Sequence, residues 1–179
     1  MRVIPFLPFL LVPLAMNAQQ DSLTTRKPSV SDAIHLGIGA GLDHGGFGGR
    51  VDVPVTHRIA ALIGVGYALV GPGWNLGVQY RFAPDSKIGA YATALYGYNG
   101  VIKVVDASQY DEIYHGFSAG FGLEFRATHS TNFFRMAVLA PFRSAEFWSD
   151  WDQLENNQGV EVKQGPLPVA FSIGYHFAL

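Results

Sequence analysis

The sequence predicts an all-β fold, an eight-stranded antiparallel up-and-down transmembrane β-barrel. Three observations carry this expectation. In residues 169–179, Val169, Phe171, Ile173, Tyr175, Phe177 and Leu179 form one bulky apolar row. Ala170, Ser172, Gly174, His176 and Ala178 form a thin, partly polar row between them. Successive side chains of a strand point to opposite faces, so this stretch is greasy on one side and thin on the other. A water-soluble barrel turns its greasy side inward and needs a polar outside. A strand that shows its greasy side to lipid needs the pattern found here.

The second observation is composition. Apolar residues make up 49% of the chain and charged ones 15%, against about 25% charge in an ordinary soluble domain. Yet no stretch after the N-terminus reaches the roughly 18 unbroken apolar residues of a helical span. The longest, 59–70, has Gly64 and Gly66 inside it. The third is the N-terminus. Met1-Arg2 supplies positive charge, 3–15 is apolar and broken by Pro5, Pro8 and Pro13, and Ala18 suits the last position before a cleavage site. This has the outline of a secretory signal peptide and is too short for a spanning helix. The three prolines also disfavour a buried strand or helix there. The expected division is 1–18 signal peptide, 19–32 flexible polar lead-in, and 33–179 a single barrel domain.

The strands are read in order from their alternation. Strand 1, 33–42, sets Ile34, Leu36, Ile38, Ala40 and Leu42 against His35, Gly37, Gly39 and Gly41, and Asp43-His44-Gly45-Gly46 is a turn by composition. Strand 2, 47–55, has Phe47, Val51, Val53 and Val55 on one face and Gly48, Arg50 and Asp52 on the other, with Pro54 near its end, where proline does least harm. Strand 3 spans 59–70, and Gly71-Pro72-Gly73 turns the chain. Strand 4, 74–82, alternates most clearly: Trp74, Leu76, Val78, Tyr80 and Phe82 against Asn75, Gly77, Gln79 and Arg81. Strand 5, 88–101, is ambiguous in register, and Asn99-Gly100 is either a bulge or a turn. A loop is expected over 104–114. Strand 6, 115–126, sets Phe117, Phe121, Leu123 and Phe125 against Ser118, Glu124 and Arg126. Strand 7, 132–142, has Phe134, Met136, Val138 and Ala140 outward and Arg135 on the other side. The longest connection, 143–168, leads to strand 8. Connections after strands 2, 4 and 6 are short.

The thin faces carry Arg50, Asp52, Gln79, Arg81, Glu124, Arg126 and Arg135 at a shared depth. An eight-stranded barrel is only wide enough to be filled by side chains. Arg50, Asp52, Arg81, Glu124, Arg126 and Arg135 are therefore expected to form an ion-paired network that plugs the lumen, with Glu124 paired to Arg50, Arg81 or Arg135. A confined, unpaired charge is costly. The alternative is that some of them sit at a wet rim.

Other chemistry is weakly signalled. The chain has no cysteine, which excludes disulfides, thiol chemistry and a lipoprotein anchor. The net charge of −2 argues against a nucleic-acid partner. His35, His44, His57, His115, His129 and His176 show no metal-ligand spacing. Gly37, Gly39 and Gly41 imitate a dinucleotide fingerprint, but Leu42 stands at the third glycine's place and no helix follows. No catalytic residue, cofactor or metal is assigned. The longer connections are acidic: Asp106, Asp111 and Glu112 in one, and Glu146, Asp150, Asp152, Glu155 and Glu161 in the other, where Trp148 and Trp151 also lie. Ser149 to Asp152 is expected to cap a short helix. Glu146, Trp148, Asp150, Trp151 and Asp152 make the candidate contact surface, with a surface protein or a divalent cation as partner. The bland reading of the same loop is a solvated spacer.

With eight strands, an export signal and the ending Gly174-Tyr175-His176-Phe177-Ala178-Leu179, the chain resembles the small outer-membrane β-barrel proteins of gram-negative bacteria. The resemblance covers nearly all of 33–179 and rests on pattern. It implies residence in the cell outer membrane, contact with outer-membrane lipid and lipopolysaccharide, and a last strand read by the barrel-assembly machinery. Here Tyr175, Phe177 and Leu179 stand for that signal, although the family usually ends on phenylalanine. It implies a non-enzymatic role, structural or binding, through the outer loops. Alternatives are a narrow channel for small or apolar solutes and a lipid A-modifying enzyme. For the enzyme His129-Ser130 is the nearest pair, but it falls in a short turn. A soluble lipocalin-type barrel would need polar residues outside, and the thin faces are mostly glycine, serine and alanine.

Overall fold

A computed structural model describes residues 29–30, 33–102, 112–128, 130–156 and 166–179. The expected signal peptide, most of the lead-in, His129, Asp106, Asp111 and Glu161 lie outside the described residues. Eight strands close into one barrel in sequence order: β1 (His35–Gly41), β2 (Gly46–Pro54), β3 (Ile59–Tyr67), β4 (Pro72–Arg81), β5 (Ile88–Ile102), β6 (Glu112–Arg126), β7 (Phe133–Phe142) and β8 (Ala170–Ala178). Each neighbouring pair is antiparallel, and β8 pairs back onto β1 with Ile38 opposite Tyr175. Closure gives every strand a partner on both sides. At one end, here the turn end, short connections 55–58, 82–87 and 127–132 join the strands. The other, loop end holds 42–45 and 68–71, and there the chain leaves β5 and β7 and enters β6 and β8.

The faces follow the alternation. Outward side chains run through Leu36, Ile38, Phe47, Val65, Leu76, Val78, Phe121, Val138, Phe171 and Ile173, all exposed. Inward ones include His35, Arg50, Asp52, Gln79, Tyr91, Glu124, Arg135, Ser172 and His176, all buried. A small apolar layer of Leu42, Leu62, Tyr91, Leu95, Ala137 and Leu139 also lies inside.

Four local expectations are corrected and one left open is settled. The stretch 42–45 does not turn at the rim. Leu42–His44 forms a 3-10 turn folded into the barrel, so Leu42 is buried rather than outward. β3 stops at Tyr67, and Pro72 and Gly73 belong to β4, because the hairpin pairs Tyr67 with Pro72. The ambiguity in β5 resolves as a bulge: the register with β6 shifts between Tyr98 and Gly100. β6 begins at Glu112, so Glu112, Ile113 and Tyr114 are strand rather than loop. Ser29 and Val30, placed in a flexible lead-in, are buried at the turn end.

Among its described residues, the long connection holds one helix, α1 (Ala145–Glu155). Its N-cap is Ser144, whose hydroxyl accepts from the Phe147 amide at 3.2 Å. Ser149 to Asp152 therefore lie inside the helix. Ser144 precedes Glu146 and the apolar Phe147, an N-terminal arrangement that a cap favours. The bulge lets β5 and β6 extend past the barrel wall, and α1 lays Phe147, Leu154 and Trp151 on Ile102 and Tyr114 of that extension. The Tyr114 hydroxyl donates to Asp150 at 2.7 Å. Phe147→Ala is expected to undock α1 while the barrel persists. Proteolysis within 144–156 should speed up and tryptophan emission should shift red, with the folded band on an unheated gel unchanged.

Candidate functional site

The candidate site is the interior. Its polar side chains come from five strands and the inner turn, and they form one continuous network. Glu124 of β6 is its central acceptor. Arg135 of β7 donates to it at 2.6 Å, Arg126 at 2.7 Å, Gln79 at 2.8 Å, and Arg81 of β4 through Nε at 3.2 Å to each oxygen. Arg135 reaches on to Asp52 at 3.2 Å. Arg50 holds Asp52 at 2.7 Å, Gln79 at 2.8 Å and Asp43 at 2.5 Å. His176 of β8 places Nδ1 3.0 Å from Asp52. At the far end Asp43 also takes a hydrogen bond from the Ser172 hydroxyl and lies 2.9 Å from His44 Nδ1.

Burial makes this pairing a requirement. Glu124, Asp52, Arg135 and His176 are fully buried, and Arg50, Arg81 and Asp43 are 1% exposed. A carboxylate without its partner in such a place costs several kcal/mol. Charge-assisted pairs of guanidinium and carboxylate are the strong kind of hydrogen bond. Arg126 closes the turn end: its Nη1 donates to the carbonyls of Ala83, Pro84 and Ser86 at 2.6–2.8 Å. Aromatic rings fill the rest. Phe133 stacks on His176 with ring centroids 4.7 Å apart. The Arg135 guanidinium carbon lies 4.8 Å from the Tyr91 ring centre and 5.0 Å from that of Phe133.

All six charged residues that alternation placed on the thin faces meet here. Glu124 pairs with Arg81, Arg126 and Arg135. It does not pair with Arg50, which is taken by Asp43 and Asp52. Asp43, His44, Ser172 and His176 are network members that sequence reasoning missed. The available signal was Asp43-His44 set among glycines and facing the small row of β8.

The other candidate residues lie outside the interior. Tyr175, Phe177 and Leu179 are exposed on the outward face, with the Tyr175 and Phe177 rings 4.8 Å apart. On α1, Glu146, Trp148 and Asp152 are exposed, but Asp150 and Trp151 are partly covered by the β5–β6 extension. Trp151 is thus a packing residue, and Trp148, its ring edge-on to Phe147, is the more exposed aromatic of the pair. Arg143 donates to the Leu167 carbonyl at 2.7 Å and lies over Phe147 at 4.9 Å. Ser130 sits in the 127–132 turn. Among the described residues no group of His, Asp and Glu has the arrangement of a metal site.

Compared with protein-family models, with curated proteins and with solved structures, the chain matches none.

Glu124→Gln should lower the stability of the barrel by about 3–5 kcal/mol, because three guanidinium groups lose a shared buried anion. Denaturant unfolding of protein refolded in detergent measures it. A loss under about 1 kcal/mol would mean that the arginines find solvent.

Proposed function

We propose that this chain is a non-enzymatic outer-membrane β-barrel, closed along its lumen, that presents its loop end at the cell surface. One observation carries the reading. Among the described residues, the outward faces of β1 to β8 hold no charged side chain, and His115 is their only imidazole. Charge and hydrogen-bonding groups are turned inside instead. Monomeric soluble proteins rarely expose contiguous apolar patches beyond a few hundred Å², and here the apolar faces run right round the barrel. Lipid is the surroundings that suits such a surface. Five of the eight strand lengths agree: β2, β3 and β8 have 9 residues and β4 and β7 have 10, close to the 9–11 of a tilted membrane strand, while β1 has 7 and β5 and β6 have 15.

The ends also fit. Both barrel termini and three short turns share one end, as on the periplasmic side of such barrels, and the two longest connections share the other, although 42–45 and 68–71 at that end are also short. On that orientation α1 with Trp148, Glu146 and Asp152 faces the outside, and loops on a rigid scaffold are where binding concentrates. A narrow channel would need a passage where the network from Arg126 to Asp43 stands. For a lipid-modifying enzyme, His115 is the residue on the lipid side. It packs 5.5 Å from the Trp74 ring centre, and no Ser, Asp or Glu stands beside it among the described outward residues.

Val138→Arg, at the middle of an outward face, should cost about 2–4 kcal/mol of stability in bilayers, read from denaturant titration of vesicle-reconstituted protein. An unchanged midpoint would contradict a lipid-facing position. Removal of 144–164 should leave heat-modifiable gel migration intact and abolish binding at the cell surface. Full envelope function in that deletion would make the loop a spacer.

A further inference from the structure

The inner turn, 42–45, is a β1–β2 connection that enters the lumen, and the barrel wall is shaped around it. A Cβ at Gly64 would strike the backbone of Asp43, and one at Gly73 the backbone of Gly45. At Gly48 and Gly66 it would come within 2.7 and 2.5 Å of the His44 carbonyl. At Gly39 and Gly174 it would meet His44 Nε2 at 2.7 and 2.6 Å. At Gly64, Gly66, Gly73 and Gly174 the turn is the nearest obstacle, so β3, β4 and β8 give up side chains in the same part of the lumen; at Gly39 and Gly48 the backbone of the neighbouring strand is nearer still. A barrel that only needed filling would fill it with side chains from its own wall. Here the wall leaves a chamber, and a separate piece of chain occupies it.

The chamber carries anion-binding groups that belong to the wall. Arg50 of β2 and Ser172 of β8 both hold the Asp43 carboxylate. Asn75 of β4 donates to the Leu42 carbonyl at 2.5 Å. The turn's contacts with them are hydrogen bonds and ion pairs, which are reversible. Glycines flank the turn on both sides, with φ of 135° at Gly41, 69° at Gly45 and 104° at Gly46. Such residues absorb large backbone changes at low steric cost. His44 Nε2 is fully buried with no hydrogen-bond partner, so the turn itself is not fully satisfied in its seat. Charge sets what would replace it. With Asp43 seated, Arg50, Arg81, Arg126 and Arg135 face three carboxylates. With Asp43 swung out, they face Asp52 and Glu124 alone.

We propose that the loop-end half of the lumen is a binding chamber for a small carboxylate-bearing solute. The inner turn is its autoinhibitory occupant, with Asp43 standing where the solute's carboxylate binds. The chamber requires the closed barrel and is indifferent to whether lipid surrounds it. Arg50 presents a planar fork that matches two carboxylate oxygens, and Ser172 supplies a further donor.

The test uses the full chain refolded in detergent, with formate and acetate as probes and chloride as the control at matched ionic strength. D43A removes the tethered carboxylate. Its unfolding temperature should fall below that of the wild type and rise again by several degrees with formate or acetate, but not with chloride. D43N, whose amide still fills the seat, and D43A/R50Q, which lacks the arginine, should gain nothing. In the wild type, amide exchange over 41–46 should speed up as formate displaces the turn. An equal response of D43A to chloride and formate would overturn the chamber. Unchanged wild-type exchange, at formate concentrations that saturate D43A, would overturn the displaceable turn. If D43A fails to refold, recovery of the folded band with formate supports the site and no recovery overturns it. Heat-modifiable migration reports barrel formation separately, so failure here is distinct from failure of the membrane reading.

Discussion

Four arginines and three carboxylates share a cylinder too narrow to hydrate them. That constraint orders the rest of the molecule. Each carboxylate must find its donors within the wall, so β2, β4, β6 and β7 are locked to one another through Glu124 and Asp52 as well as through their ladders. A slip of one residue in β2, β4, β6 or β7 would send its charge to the outward face and its greasy row inward. The network therefore enforces the register that the backbone hydrogen bonds alone leave degenerate. Stability and specificity come from the same contacts, since a buried pair is expensive to break even where it adds little net stabilisation.

The inside-out distribution follows from this. Polar and ionised groups concentrate where they can pair, and the outward faces are left to leucine, isoleucine, valine, phenylalanine and their neighbours. On the membrane reading proposed above, the same alternation that packs the lumen suits the outside to a solvent that cannot hydrogen-bond, in which closed barrels and helices are the only stable spanning forms. The loop end departs from the pattern. There the bulge at Asn99 releases β5 and β6 from the wall, and α1 covers their inner side with Phe147 and Leu154.

Strand faces were legible in the sequence because period-two alternation is a local signal. Trp74 to Phe82 and Phe171 to Leu179 announce which side each residue takes, and the charges on the thin rows announce an interior network. What could not be read is whatever depends on contacts distant in sequence. Asp43-His44-Gly45-Gly46 has the composition of a rim turn. Only the glycines on three other strands, β3, β4 and β8, unreadable as a set in one dimension, show that it folds inward. Likewise Ser172 and His176 looked like ordinary thin-face residues until closure of β8 on β1 brought them to Asp43 and Asp52. The start of α1 was misplaced because Ser149 and Ser144 both precede acids. The docking of Phe147 on Tyr114, with ring centroids 5.0 Å apart, supports the earlier start.

The central claim is that one face of every strand meets lipid and the other meets the network. The chain has no native cysteine, so single cysteines along β8 can be labelled without background. In vesicles, a fluorophore at 171, 173, 175 or 177 should be quenched by lipid-borne nitroxide and shielded from iodide, while labels at 172, 174 and 176 should be shielded from both or prevent folding. Strong iodide quenching at 171 and 173, with no response to the lipid-borne quencher, would contradict the account.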